Sequence, residues 1–219
     1  MMRPLAVLAL TLAFVAPRGL AQDAPTTAPD TTGPTAEQLQ SLTLPTLLAE
    51  ARRLLDARDL RAAAPYIDAA RQRDPASLQF KGLVAELALY AGDLTTARIN
   101  YLDVHRANRD DYRANLGLGQ IYLMTRNFSQ ASIYLRRAEA LVPMDALGDT
   151  AFVRRLLAQS QHGEKKYLEA LATAEKAREL APQDIDILHT LIAALRAAGR
   201  TEQAVTEASA LQVLAEQNL

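Results

Sequence analysis

A repeat of 34 residues constrains the fold of this chain more than any other feature. Five alanines mark it, separated by 34, 34, 39 and 34 residues: Ala63, Ala97, Ala131, Ala170 and Ala204. They divide the C-terminal four-fifths of the sequence into five windows: 44–77, 78–111, 112–145, 151–184 and 185–218. Because one such unit cannot bury its apolar face alone, a periodicity of this length predicts stacked supersecondary units that share a continuous core.

Other columns of the repeat show what each unit is. Position 8 of the five windows is small in four cases: Ala51, Ala85, Gly119, Ala158 and Ile192. Small residues at positions 8 and 20 allow two antiparallel helices, A and B, to cross closely. Position 32 carries Pro75, Pro143 and Pro182, where we expect helix B to stop, with Asp74 and Pro75 as N-cap and first residue of the next helix A.

The pattern therefore predicts ten helices in five pairs. They are expected near 45–57 and 60–72, 76–91 and 94–107, 111–125 and 128–141, 148–162 and 165–180, and 184–198 and 201–217. Residues 146–150 interrupt the period, and we expect a turn at Gly148 followed by an N-cap at Asp149.

The third and fourth windows carry the repeat pattern best, and they resemble the tetratricopeptide-repeat (TPR) family. The matching residues of the third window are Leu118, Gly119, Tyr122, Asn127, Phe128, Ala131, Leu135, Ala138 and Pro143; those of the fourth are Ala158, Tyr167, Ala170, Ala177 and Pro182. The resemblance implies an all-α, right-handed α-solenoid of about five helix-turn-helix units over 44–219. The chain lacks the family's Trp at position 4, and Glu50 and Ile192 also depart from the pattern.

The residues before the repeats predict export. Arg3 precedes an apolar run from Leu5 to Ala16, and Gly19-Leu20-Ala21 offers small residues at a cleavage site before Gln22. We interpret 1–21 as a cleavable signal peptide, because the run is shorter than the roughly 20 residues that span a membrane. The chain has no Cys, which excludes a lipoprotein anchor, so a periplasmic or secreted location is expected. Residues 22–43 are interpreted as a disordered linker because they lack apolar periodicity.

Charge and motifs exclude several functions. With 24 basic and 25 acidic residues, the chain has no overall attraction for nucleic acid. It has no phosphate-binding loop, nucleophile elbow or paired-histidine zinc motif, so we expect no enzyme, metal or cofactor.

In the resembled family, positions 2, 5, 9, 12 and 13 of the A helices face a concave groove. Carried onto this chain, they give candidate peptide-binding residues: Arg52, Glu86, Tyr90, Arg113, Gln120, Met124, Arg155, Gln159, His162, His189 and Arg196, with Asp56, Phe152 and Asp186 beside them. Acidic side chains fall in the first two windows and basic ones in the last three, which predicts a groove that is basic toward its C-terminal end.

The leading hypothesis is a non-catalytic adaptor that holds a protein or peptide partner in the groove, in envelope, secretion or pilus assembly. The alternative is a glycan- or peptidoglycan-binding protein, in which Tyr90 and Phe152 stack on sugars. The last A helix is unusually apolar, with Ile187, Leu191 and Leu195 among its residues. We expect this end to be a contact surface, for a homodimer or another partner, in preference to burying itself.

Overall fold

A computed structural model describes residues 33–217, and in that range the chain contains eleven α-helices and no strand. Their bounds are α1 Ala36–Ser41, α2 Leu44–Asp56, α3 Leu60–Arg73, α4 Leu78–Tyr90, α5 Leu94–Ala107, α6 Tyr112–Met124, α7 Phe128–Leu141, α8 Leu147–Gly163, α9 Tyr167–Leu180, α10 Ile185–Ala197 and α11 Thr201–Gln217. The predicted signal peptide and most of the predicted linker lie outside the described residues.

The helices from α2 onward form five pairs, each an A helix followed by a B helix, and the predicted all-α solenoid is confirmed. The most extensive contacts join α2 with α3, α4 with α5, α6 with α7, α8 with α9, and α10 with α11. The five repeat alanines are all buried, at 0–1% exposure, and the close crossings predicted for positions 8 and 20 explain why. At Gly119 an added methyl group would lie 2.6 Å from Leu135, so only glycine fits that crossing.

The A helices form the inner layer of the array. Within the described range, each A helix contacts the A helix of the next repeat, whereas no consecutive pair of B helices makes comparable contact. Because the more closely spaced layer of a curved array is its inside, the concave side belongs to α2, α4, α6, α8 and α10. Side chains that project from these helices away from their B partners therefore share one surface.

The turn inside each repeat uses a left-handed residue at position 15, a regularity that the sequence analysis missed. Two of these residues are glycines, Gly92 and Gly199, and three are not: Arg58, Arg126 and Lys165. In every repeat the following amide donates back to a carbonyl five residues earlier, as in the 2.9 Å bond from Asp93 to Ala88. This is the hydrogen bond of a Schellman motif, which ends helix A and starts helix B without a longer loop.

Three local predictions were wrong. Asp74 caps the end of α3 instead of the start of α4, because its carboxylate accepts hydrogen bonds from the amides of Ala76 and Ser77, and Ser77 itself caps α4. Helix α8 begins at Leu147, so Gly148 and Asp149 lie in its first turn and do not precede it.

The third error concerns the predicted linker, whose last part contains α1. A capping box starts α1, in which Thr35 and Gln38 exchange hydrogen bonds, and Leu39 packs against the core of the first repeat. Arg73 also donates to the carbonyl of Gln40 at 2.6 Å. Helix α1 thus covers part of the N-terminal end of the array.

The C-terminal end is closed by the array itself, and the expected contact surface on α10 is not formed. Ile187, Leu191 and Leu195 are 1–3% exposed because α8, α9 and α11 all pack against α10. The exposed apolar side chains at this end belong to α11 instead, where Val205 is 60% exposed and Val213 is 52% exposed.

Candidate functional site

The concave face holds two groups of predicted groove residues. The N-terminal group comprises Arg52, Glu86, Tyr90, Arg113 and Gln120, which surround two adjoining cavities. The C-terminal group comprises Arg155, Gln159, His162 and His189, which line a third. Met124 and Arg196 are exposed and line none of these cavities. The register of the repeat therefore brings nine of the eleven candidates onto cavity walls.

Glu86 is the centre of the N-terminal group. Its side chain is only 8% exposed, and it forms ion pairs with Arg52 from α2 and with Arg113 from α6. The Tyr90 hydroxyl, one turn further along α4, donates to the same carboxylate at 3.2 Å. A buried carboxylate with three donors is fully compensated, so Glu86 ties together the A helices of the first three repeats.

Arg113 extends this network to a second acid. Its guanidinium donates to Asp56 at 3.0 Å and to Glu86 at 3.3 Å. The predicted polarity of the groove is therefore weaker than the sequence indicates, because Arg52 and Arg113 together neutralise Asp56 and Glu86. In the C-terminal group Arg155 likewise lies 3.9 Å from Asp186.

One of the N-terminal cavities is lined by aromatic rings as well as charges. It has a volume of about 300 Å³, and its walls include Asp56, Arg58, Glu86, Tyr90, Tyr101, Tyr112, Arg113, Gly117, Gln120, Asp149 and Phe152. Burial, together with the nearby carboxylate of Asp149, raises the pKa of Tyr112 to about 12. Burial and the charge of Glu86 also raise the pKa of Tyr90 above its ordinary value of 10.0. Both phenols are therefore neutral hydrogen-bonding groups at physiological pH.

Four of the charged and aromatic wall residues were not predicted from the sequence: Arg58, Tyr101, Tyr112 and Asp149. Tyr101 belongs to a B helix, and its ring reaches the cavity because it occupies the space where a side chain on Gly117 would lie. A bulky residue at position 24 followed by glycine at position 6 of the next repeat is a sequence pattern that could have predicted this contact. Asp149 lies in the insertion, which the 34-residue register does not cover.

Arginines cover two of the groove's aromatic rings. The Arg58 guanidinium lies 4.2 Å from the ring centre of Tyr90, and that of Arg155 lies 5.0 Å from the ring centre of Phe152. Cation–π contacts of this kind hold both partners in place. Because Phe152 lines the aromatic cavity and Arg155 lines the next one, this pair also connects the two groups of groove residues.

The C-terminal cavity has a volume of about 270 Å³, and six of the eight residues that line it have polar or charged side chains. Gln159 of α8 donates to the Thr190 hydroxyl of α10 at 3.1 Å, and the His162 ring meets Tyr167 edge-on at 5.5 Å. His162 and His189 line the same cavity from consecutive A helices. Among residues 33–217, no group of three or more histidine, aspartate or glutamate side chains is arranged to hold a metal ion.

Residues 33–217 contain no helix that is both long and apolar enough to cross a membrane.

No protein-family model matches the sequence, and no curated protein matches it. The array does resemble solved structures of MamA, a protein built from TPR units. MamA residues 41-end from Desulfovibrio magneticus RS-1 is 16% identical, with a TM-score of 0.66, covering 80% of this chain and 96% of that one. MamA MSR-1 C2 is 14% identical, with a TM-score of 0.65 and coverages of 80% and 98%.

The chain has the tetratricopeptide-repeat fold. Five helix pairs at the family's repeat length, with buried small residues at both crossing positions, carry the same architecture as these MamA structures. In the TPR array the groove residues therefore have the placement that the resemblance implies, on the concave side of the A helices.

Proposed function

We propose that this TPR array is a non-catalytic adaptor that holds an extended peptide or a helix of a partner protein in its concave groove. The observation that carries the proposal is the continuous lining of the groove, in which three cavities follow one another along α2 to α10. An elongated surface that is lined by both apolar and polar side chains suits a segment of polypeptide better than a compact small molecule.

The groove is held in position before a partner arrives. Arg52, Glu86 and Arg113 restrain one another across three repeats, and the Gln159–Thr190 hydrogen bond links the last two A helices. Side chains that are already ordered lose little conformational entropy on binding, which favours affinity. The exposed carboxylate of Asp149 and the amide of Gln120 remain to interact with a bound segment on the same cavity wall.

We further propose that residues 1–21 direct export and are removed, which places the adaptor in the periplasm. There it would serve an envelope, secretion or pilus assembly system. The Arg3, Leu5–Ala16 and Gly19–Ala21 layout supports this part of the proposal. N-terminal sequencing of the protein isolated from its native envelope fraction should begin at Gln22. An intact Met1 on the mature protein would contradict export by cleavage.

The glycan-binding alternative draws less support from the groove. Tyr90 and Phe152 each have an arginine over the ring, so a sugar that stacks there would share or displace those contacts. A pull-down with purified cell-wall glycan, run beside the protein pull-down below, separates the two hypotheses.

Ala193→Arg is the sharpest test of the groove, with Ala172→Arg as its matched control. Both alanines are exposed, but Ala193 lines the C-terminal cavity on α10 and Ala172 lies on the B helix α9. Proteins crosslinked and recovered from envelope extract should be lost with Ala193→Arg and retained with Ala172→Arg. Equal recovery by the two variants, with unchanged melting, would refute binding in the groove.

A further inference from the structure

A cavity outside the groove has a distinctive lining. It lies between the B helices α5 and α7, beside the connection that leads into α6, and its volume is about 350 Å³. Its walls are His105, Arg106, Arg109, Asn115, Gln130, Ile133, Tyr134 and Arg137. Three arginines and no carboxylate line this cavity, which we call the arginine cavity.

The acids that pair with two of the three arginines lie outside the arginine cavity. Arg106 pairs with Asp103 at 3.0 Å, and Arg137 pairs with Asp110, yet neither acid lines the cavity. Arg109 makes no ion pair within residues 33–217. Burial, followed by the charges of Arg109 and Arg137, holds the pKa of His105 below its ordinary value of 6.5, although Asp110 and Asp111 act in the opposite direction.

Two residues of the cavity wall leave buried polar atoms without a hydrogen-bond partner in the described part of the chain. Asn115 is 0% exposed, and its Nδ2 group donates to the carbonyls of Arg109 and Asp111, both at 2.8 Å. The Oδ1 atom of Asn115 accepts no hydrogen bond, and Nδ1 of His105 has no hydrogen-bond partner. Because the two amide donors are fixed, the free atom of Asn115 is an acceptor, and a buried acceptor without a donor is unfavourable.

Three aromatic rings pack against one another beside these groups. The Tyr134 ring stacks on Tyr122 with 5.5 Å between the ring centres and 9° between the planes, and His105 meets it edge-on at 5.3 Å. Arg137 also donates to the Arg109 carbonyl, the same carbonyl that Asn115 holds. The backbone at Arg109 is thus held between Asn115 and Arg137.

We propose that the arginine cavity binds a small anion that also carries hydroxyl groups, such as a sugar phosphate or a sugar carboxylate. The anionic group would lie against the guanidinium groups of Arg109 and Arg137, which match phosphate and carboxylate oxygens. A neighbouring hydroxyl would donate to Oδ1 of Asn115. This site is separate from the groove and does not depend on the proposed adaptor function.

The test measures binding of glucose 6-phosphate, glucuronate, glucose and inorganic phosphate to the full chain by calorimetry and by NMR. We expect glucose 6-phosphate or glucuronate to bind, glucose not to bind, and inorganic phosphate to bind more weakly than the anionic sugar. The side-chain amide of Asn115 and the His105 ring should shift on binding, and added salt should weaken the interaction.

Two double variants make the assignment specific. Arg109→Gln with Arg137→Gln should weaken binding at least about tenfold, since each arginine supplies charge-assisted hydrogen bonds. Arg61→Gln with Arg98→Gln removes two exposed arginines outside the cavity and should leave affinity unchanged. Ala193→Arg should also leave it unchanged. The proposal is overturned if neither anionic sugar binds, if inorganic phosphate binds equally tightly, or if both double variants weaken binding to the same extent.

Discussion

The Arg113 guanidinium on α6 lies 3.0 Å from the carboxylate of Asp56 on α2, although 57 residues separate the two in sequence. The contact spans the A helices of the first and third repeats, and the buried carboxylate of Glu86 lies between them on α4. In a solenoid each repeat ordinarily contacts only its neighbours, but this ion pair links the first repeat to the third on the concave side. It therefore restrains the curvature of the groove.

Glu86→Ala should destabilise the protein more than Asp56→Ala. Glu86 is 8% exposed at its side chain and accepts bonds from three donors, so its loss should cost about 1.5–3 kcal/mol in free energy of unfolding. Asp56 is 48% exposed, and its loss should cost less than about 1 kcal/mol. Urea unfolding at low and high salt checks this, because only the cost at Asp56 should shrink with salt. Equal costs at both sites would contradict the burial of Glu86.

Two glycines of the second repeat should respond oppositely to alanine. Gly92 has φ of +82°, which alanine tolerates poorly, so Gly92→Ala should lower stability by about 1–2 kcal/mol. Gly82 lies inside α4 with no atom within 4 Å of an added methyl group, so Gly82→Ala should raise stability by about 0.5–1 kcal/mol. Thermal melting of the two variants measures the difference, and a stabilising shift in Gly92→Ala would be inconsistent with the Schellman turn.

Ala131→Leu should overfill the crossing in the third repeat. Ala131 is fully buried and clusters with Leu135, Leu156 and Leu157, so three added carbons should cost about 1–3 kcal/mol. Because α7 contacts α8 of the next repeat, and its partner α6 contacts α5 of the preceding repeat, hydrogen exchange should quicken in both neighbouring repeats. Ala172→Leu, at an exposed position on α9, is the control and should leave melting unchanged.

Glu164, at the contact between α7 and α8, should make the stability of the protein fall at acid pH. Burial alone would raise its pKa, but hydrogen bonds from Lys166 and Ser132 outweigh burial and lower the pKa below 4.5. A lowered pKa in the folded state stabilises above the unfolded value, and this contribution is lost as pH falls through the folded value. Glu164→Gln should therefore reduce stability at neutral pH and differ little from the parent in acid. Glu175→Gln, at an exposed position, should show no such pH-dependent difference.

Ile187→Asp should lower melting sharply, because the side chain is 1% exposed and a lone carboxylate there would be unpaired. The expected loss is about 3 kcal/mol or more. Val205→Asp, at a site that is 60% exposed, should change stability by less than about 0.5 kcal/mol. If the melting temperature of Ile187→Asp were unchanged, the apolar face of α10 would have to be an exposed contact surface.

Much of the architecture follows from the sequence alone. Recurrent alanines at position 20, and small residues at position 8 of four repeats, indicate close-packed helix pairs, because small side chains let two helices approach closely. The same register gives nine groove residues that line cavities, since the period of the helix determines which side chains project to the inner face.

The tertiary structure decided which side chains are buried and which are paired, because repeat positions alone do not determine either. Repeat positions do not tell whether Glu86 is solvated or buried between two arginines, because that depends on the distance between A helices of different repeats. The pattern also left open what covers the apolar face of α10, and its packing against three helices settled that. Local periodicity determines the face on which a side chain lies, whereas its burial, pairing and charge depend on residues far away in sequence that only the folded stack brings near.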